Sequence, residues 1–115
     1  MDHTVSLKLN HEFRRLYAKG KNAVNPCMAV YCRKNRLGYN RLGFTTGTKL
    51  GKAVVRNRVR RRLREVYRTN EDKIRPGYDI VVVARVRACH SRYAELQRQF
   101  LRTADKLGLL EGSGT

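Results

Sequence analysis

Apolar residues recur along this chain at two different spacings, and the change from one spacing to the other marks its elements. Phe13, Leu16 and Tyr17 stand at i, i+3 and i+4, which puts them on one face of a helix. Asn10 is placed to cap that helix and Gly20 to end it. Lys21 to Val24 follows, then a break at Asn25-Pro26. From Cys27 to Arg33 the spacing drops to two, with Cys27, Ala29 and Tyr31 alternating against Met28, Val30 and Cys32, and this predicts a strand. Lys34 to Asn40 is polar and carries Gly38, so it reads as a loop. Arg41 to Thr46 reads as a returning strand, and the two strands are expected to pair as a hairpin.

Helical spacing returns after Gly47 to Gly51. Val55, Val59, Leu63 and Val66 lie in one stripe at steps of four, four and three, predicting an amphipathic helix from Ala53 to Arg68. Arg60, Arg61, Arg64 and Arg68 fall on the opposite side, and Arg56 and Arg58 flank the stripe. Arg62 projects close to the stripe, where a guanidinium must snorkel outward or find a partner. Pro76-Gly77 makes a turn. Tyr78 to Ala84 is rich enough in β-branched residues to be an interior strand buried on much of both faces. Ser91 is placed to cap a last helix in which Tyr93, Leu96, Phe100, Ala104 and Leu107 share a face, with Gly108 at its end. An ordered core from about residue 8 to about 108 is expected, with 109–115 as a loose tail. Helices and strands in this order pack as an α+β sandwich of helices on a small sheet.

Length and charge narrow the class. A chain of 115 residues, 41% of them hydrophobic, suffices for one core, so 1–115 is read as a single domain. Its 26 Lys and Arg against 9 Asp and Glu give a formal charge of +17, a self-repulsion that favours an anionic partner. No apolar run approaches the roughly 20 residues needed to span a bilayer, so a membrane is set aside in favour of nucleic acid. Between Arg33 and Arg68 lie 13 of the 26 basic residues and one acid, Glu65. A merely solvated face usually mixes both signs. The N-terminus lacks the apolar core of a secretion signal, so a cytoplasmic location is expected. Cys27, Cys32 and Cys89 fit neither a disulfide framework nor zinc-pair spacing, and are expected to be reduced and mostly buried.

Protein-borne chemistry finds no support in the sequence. There is no nucleophile elbow or phosphate loop, and Glu71-Asp72 is the sole adjacent acidic pair. His3, His11 and His90 are far apart, and Cys89-His90 completes no zinc pattern. No catalytic residue, metal site or cofactor on the protein is therefore expected.

The most informative segment is Lys49-Leu50-Gly51-Lys52-Ala53-Val54-Val55-Arg56-Asn57-Arg58-Val59-Arg60-Arg61. Its glycine permits a tight entry, its helix start offers backbone N–H groups to phosphate, and its arginines present planar forks. This segment resembles the "RNR" signature of the bacterial ribonuclease P protein family. The likeness runs from Leu9 to about Leu107, taking in Phe13, Tyr17, Tyr31, Arg41-Leu-Gly-Phe and Gly77-Tyr-Asp-Ile-Val-Val-Val-Ala. It implies an α-β-β-β-α-β-α order, a four-stranded sheet like that of a ribosomal protein domain, and a left-handed βαβ crossover where general rules favour the right-handed one.

The resemblance further implies a ribonucleoprotein subunit that assists a catalytic RNA in the endonucleolytic removal of the 5′ leader from precursor tRNA. Lys49, Lys52, Arg56, Asn57, Arg58, Arg60, Arg61 and Arg64 would face the catalytic RNA. Phe13, Tyr17, Ala29 and Tyr31 would line a cleft for the single-stranded leader, and Lys8, Arg14, Lys19, Lys21 and Arg33 stand near enough in sequence for leader phosphates. Aromatic planes stack unpaired bases for roughly 1 to 3 kcal/mol per base, although aromatics at helical spacing more often serve a core. Arg62 sits where several relatives place an apolar residue. Magnesium is expected with the RNA, and no obligate protein partner is implied. Charge alone accommodates a structural RNA-binding protein such as a ribosomal component equally well. A protein-only nuclease would need a carboxylate cluster that the sequence lacks.

Overall fold

The most apolar strand takes the centre of the sheet, and the rest of the fold is arranged around it. A computed structural model describes residues 3–111. Along the chain come β1 (Thr4–Ser6), α1 (Asn10–Lys19), β2 (Lys21–Val24), β3 (Met28–Lys34), β4 (Asn40–Thr45), α2 (Ala53–Asn70), β5 (Tyr78–Ala84) and α3 (Tyr93–Lys106). Short 3-10 turns occupy Thr48–Leu50, Glu71–Lys73 and Val86–Cys89. The strands form one sheet in the order β1-β4-β5-β3-β2.

This order corrects the expected hairpin. The strands before and after the Lys34 to Asn40 loop do not pair, because β5 lies between them, antiparallel to β3 and parallel to β4. Ile80, Val81 and Val82 are buried on both faces of β5, and only a central strand gives such a run cover on both sides. The antiparallel neighbours in sequence are instead β2 and β3, with Val24 opposite Ala29. The sheet also has five strands rather than four. The additional one, β1, runs parallel to β4 with Thr4 opposite Asn40, and extends the ordered chain upstream of residue 8.

Alternation divides the sheet into two faces. Met28, Val30, Cys32, Leu42, Ile80, Val82 and Ala84 share a core with Val59, Leu63 and Val66 of α2 and with Leu96, Phe100 and Ala104 of α3. Burying each Val, Leu, Ile, Met or Phe among them stabilises the fold by about 1.5 to 3 kcal/mol. On the other face Val81 is buried with Leu7 and Leu16, and Phe13, Tyr31 and Val83 pack around them. Here one helix, α1, covers what two helices cover on the far side.

Helix ends depart from the expected caps. Asn10 is the first residue of α1 rather than its cap; Leu9 caps it, and its N–H donates to the Glu12 carboxylate at 3.4 Å. Arg92, not Ser91, is the cap of α3, because the Ser91 hydroxyl is engaged with the Arg87 carbonyl at 2.7 Å. The tail also starts later than residue 109. Leu109 is fully buried and Leu110 bridges to Ile74; residues 112–115 lie outside the described part. Cys27 and Cys32 are buried, Cys89 is half-buried, and all three are free thiols. No helix among the described residues is long and apolar enough to cross a membrane.

Candidate nucleic-acid interface

The helix α2 begins from a turn that only glycine serves well. Gly51 adopts φ 131°, in the region that side chains disfavour, while a Cβ there would meet Val55 only at ordinary contact distance. Backbone conformation, not space, therefore calls for glycine. Helices usually place acids in their first turn to complement the positive end of the dipole. This one has none, and Lys49 and Lys52 stand exposed at its approach. Such an N-terminus is electrostatically unsatisfied by the protein and suited to an external anion.

The signature residues separate into free and committed groups. Asn57, Arg58, Arg61 and Arg64 are exposed. Together with Arg60 and Val54, Asn57, Arg61 and Arg64 line a shallow groove of about 450 Å³, and Val54 is 79% exposed beside them. Arg60 is half-buried, donating to Thr46 Oγ1 at 2.6 Å and to Asn57 Oδ1 at 2.9 Å. Arg56 is also half-buried, and its Nε is sequestered without a hydrogen-bond partner. Arg62 takes the partnered course, donating to the Ser91 carbonyl at 2.6 Å, which anchors α2 to the approach of α3. Arg68 pairs with Glu65 on the same helix.

A second surface lies across α1. Asn10, Phe13, Arg14, Tyr17, Phe44, Thr45 and Thr46 line an open groove of about 590 Å³. Tyr17 and Tyr31 meet edge to face, ring centroids 5.0 Å apart at 78°, an arrangement favoured by the ring quadrupoles. The Tyr17 hydroxyl bonds Thr45 Oγ1 at 2.8 Å. Of the four expected cleft residues, Phe13 and Tyr17 line the groove. Tyr31 stands against Tyr17, and Ala29 is half-buried further along the same face of β3, opposite Val83. Among the basic candidates, Arg14 lines the groove, whereas Lys8, Lys19, Lys21 and Arg33 are exposed without lining it.

Sequence reasoning missed Thr45 and Thr46, which read as the plain end of a strand. It also missed Arg85 and Arg87, which join Lys49, Pro26, Leu50 and Val86 around a third groove of about 530 Å³ that shares Thr45 with the second. The basic residues just after the strongest strand, Arg85-Val-Arg87, were the available signal.

The acids on the α1 face are tied up structurally. Arg41 bonds Glu12 and makes a two-pronged contact with Asp79 at 2.7 and 2.8 Å, while Asn35 donates to the same Asp79 carboxylate at 3.0 Å. Burial alone would raise the Asp79 carboxyl, but the bonds from Arg41 and Asn35 and the Arg41 charge outweigh it and hold it below its ordinary range. The hydrogen bond to Asp79 in turn pushes the Arg41 guanidinium further up. Among the described residues, no three His, Cys, Asp or Glu side chains gather in a way that would hold a metal ion. His3, His11 and His90 are exposed and apart.

A five-stranded sheet clad by three helices, one of them cationic along its outer face and at its N-terminus, defines a small basic α+β domain. Comparison of the sequence with protein families gives its family: the model of the family Ribonuclease P matches residues 1–108, and the chain belongs to that family. It is 41% identical over 111 residues to the ribonuclease P protein component of Natranaerobius thermophilus, covering 96% of each chain. Against that of Alkaliphilus metalliredigens it is 41% identical, covering 96% of this chain and 99% of the relative. Among solved structures it resembles the RNase P protein of Staphylococcus aureus, with a TM-score of 0.83 at 30% identity over 92% of this chain and 97% of that one. The RNase P protein of Thermotoga maritima superposes with a TM-score of 0.78 at 33% identity, over 84% and 92% of the two chains.

Proposed function

We propose that this chain docks on the catalytic RNA of ribonuclease P through α2 and holds the single-stranded 5′ leader of precursor tRNA in the groove between α1 and the sheet. The RNA, with its magnesium, then makes the cut. The observation that carries this reading is the separation of two surfaces of different character on one small domain. One is a row of exposed guanidiniums and an unneutralised helix N-terminus, suited to the phosphates of a folded RNA. The other is an aromatic groove with polar walls, suited to unpaired bases. Among the described residues no cluster of acids gathers, and in this reading the protein contributes binding and orientation of the substrate.

The deciding experiment is cleavage of a precursor tRNA by a bacterial ribonuclease P RNA at low magnesium, with and without the protein. Strong stimulation, and a preference for precursor over mature tRNA that grows with leader length, is the expected result. Absence of stimulation sinks the proposal. A purely ribosomal role instead predicts co-sedimentation with ribosomes and tighter binding to ribosomal RNA than to ribonuclease P RNA.

A further inference from the structure

Three successive inward positions of β4 each hold a different point of α1. Arg41 bonds Glu12 in the first turn of the helix. Gly43 leaves the space that Phe13 fills: a Cβ at Gly43 would lie 2.5 Å from Cζ and 2.8 Å from Cε1 of that ring, closer than carbon atoms approach. Thr45 bonds the hydroxyl of Tyr17. Residues 41, 43 and 45 share a face because side chains alternate along a strand, so one short strand presents α1 with a charge, a void and a hydroxyl in line. A slip of α1 by one residue would rotate its side chains by about 100° and break all three contacts together.

We propose that β4 gauges the groove: Arg41 and Gly43, neither of which lines it, are positioning residues that act through α1 to set where Phe13 and Tyr17 stand, with Thr45 fixing the Tyr17 ring from the groove wall. The bases accepted are then single-stranded RNA bases that enter the groove walled by Phe13, Tyr17, Phe44 and Thr45 and meet the faces these seated rings leave open. This rests on the leader reading above. It adds that affinity for an unpaired base is specified by a strand whose first two seats, Arg41 and Gly43, do not themselves touch it. Gly43 matters because its missing side chain is the seat of Phe13, and any larger residue displaces the ring or lifts the helix.

The test is a pair of double-mutant cycles in the assembled ribonucleoprotein, reading affinity for precursor with a leader, affinity for mature tRNA, and affinity of the protein for the catalytic RNA. Gly43→Ala is expected to weaken precursor binding about tenfold, the loss of roughly one stacked base, with the other two affinities within about twofold. In a Phe13→Leu background, where the colliding ring atoms are gone, Gly43→Ala is expected to cost nothing further. Should Gly43→Ala fail to fold, Thr45→Val and Tyr17→Phe form the second cycle, in which the double variant matches either single one. If the unaltered protein shows no preference for precursor over mature tRNA, the leader reading fails and the gauge falls with it. If that preference is present but Gly43→Ala leaves it intact, or costs as much in the Phe13→Leu background, then the gauge is wrong while the leader reading stands.

Discussion

Seven arginines crowd one helix, but they are not seven equivalent contacts. Arg58 and Arg61 are exposed and their forks are free in the described structure, whereas the fork of Arg60 is shared between Thr46 and Asn57. A guanidinium that neutralises one phosphate contributes about 0.9 to the slope of log K against log salt. Arg58→Ala and Arg61→Ala are therefore each expected to reduce the slope for catalytic-RNA binding by about 1. Arg60→Ala should reduce it less while costing about 1 to 2 kcal/mol of folding stability in denaturant titrations; equal slope changes for all three would contradict that division. Cysteines divide similarly. Burial pushes the Cys32 thiol up to about 11, so its thiolate is scarce at neutral pH. With Ellman's reagent at about pH 8, half-buried Cys89 should react first, with Cys27 and Cys32 reacting only on unfolding; a single common rate for all three would refute this.

Elements were legible in the sequence to the extent that their signal is local. The 3.6-residue stripe of α2, the β-branched run of β5 and the apolar face of α3 were all visible, because each buries a long face on one core. Pairing was not. That β5 separates β3 from β4 depends on which strand needs cover on both faces, a competition among distant segments that no window reports. β1 escaped because three residues are too short for alternation to register. Its place is set by Thr4, which meets the Tyr67 hydroxyl at 2.9 Å and donates to Glu71 at 2.5 Å, more than sixty residues away. At the site, the arginines of α2 and the pair Phe13 and Tyr17 were legible. The residues that hold them, Thr46, Thr45 and Gly43, were not legible in that role, since a hydroxyl or a missing side chain leaves no periodic pattern.

The ion cluster joining α1, β4 and β5 carries the prediction at this scale. The folded pKa of Asp79 lies below its unfolded value of about 3.9. Its contribution to stability is therefore fully present above that value and lost as pH falls through the lower folded pKa. Asp79→Asn should be less stable than the unaltered protein at neutral pH, with the two stabilities converging as pH drops below about 4. A gap that persists undiminished to about pH 2 would show that the Asp79 carboxylate charge is not what holds β5 to Arg41 of β4.

Taken whole, the molecule carries its charge of +17 within extents of 37 × 30 × 25 Å, and this determines how it responds to salt. At 0.01 M ionic strength the Debye length is about 30 Å, so cations on all sides repel one another; at 0.15 M it is about 8 Å, and only neighbours interact. Screening also weakens attractive pairs, but only 9 acids stand against 26 Lys and Arg. Two of these pairs, Arg68 with Glu65 and Arg98 with Glu95, are i,i+3 contacts on exposed helix surfaces, where solvent and side-chain entropy leave little net attraction. The Arg41 cluster is partly buried and screened less. Repulsion therefore dominates the balance, and the melting temperature of the free protein should rise between 0.01 and 0.15 M salt by on the order of 5 °C, equivalent to about 1 kcal/mol for a domain of this size. Because the repulsion is concentrated on α2, a triple Arg58→Gln, Arg61→Gln and Arg64→Gln variant should melt higher at low salt and gain less from added salt. A polyanion such as heparin, which binds the folded cationic face, should raise the melting temperature beyond the monovalent plateau, and by less in the triple variant. Thermal unfolding followed by circular dichroism reads all of these. A melting temperature that falls with salt would mean that attractive pairs, not the unneutralised face of α2, govern the stability of this fold.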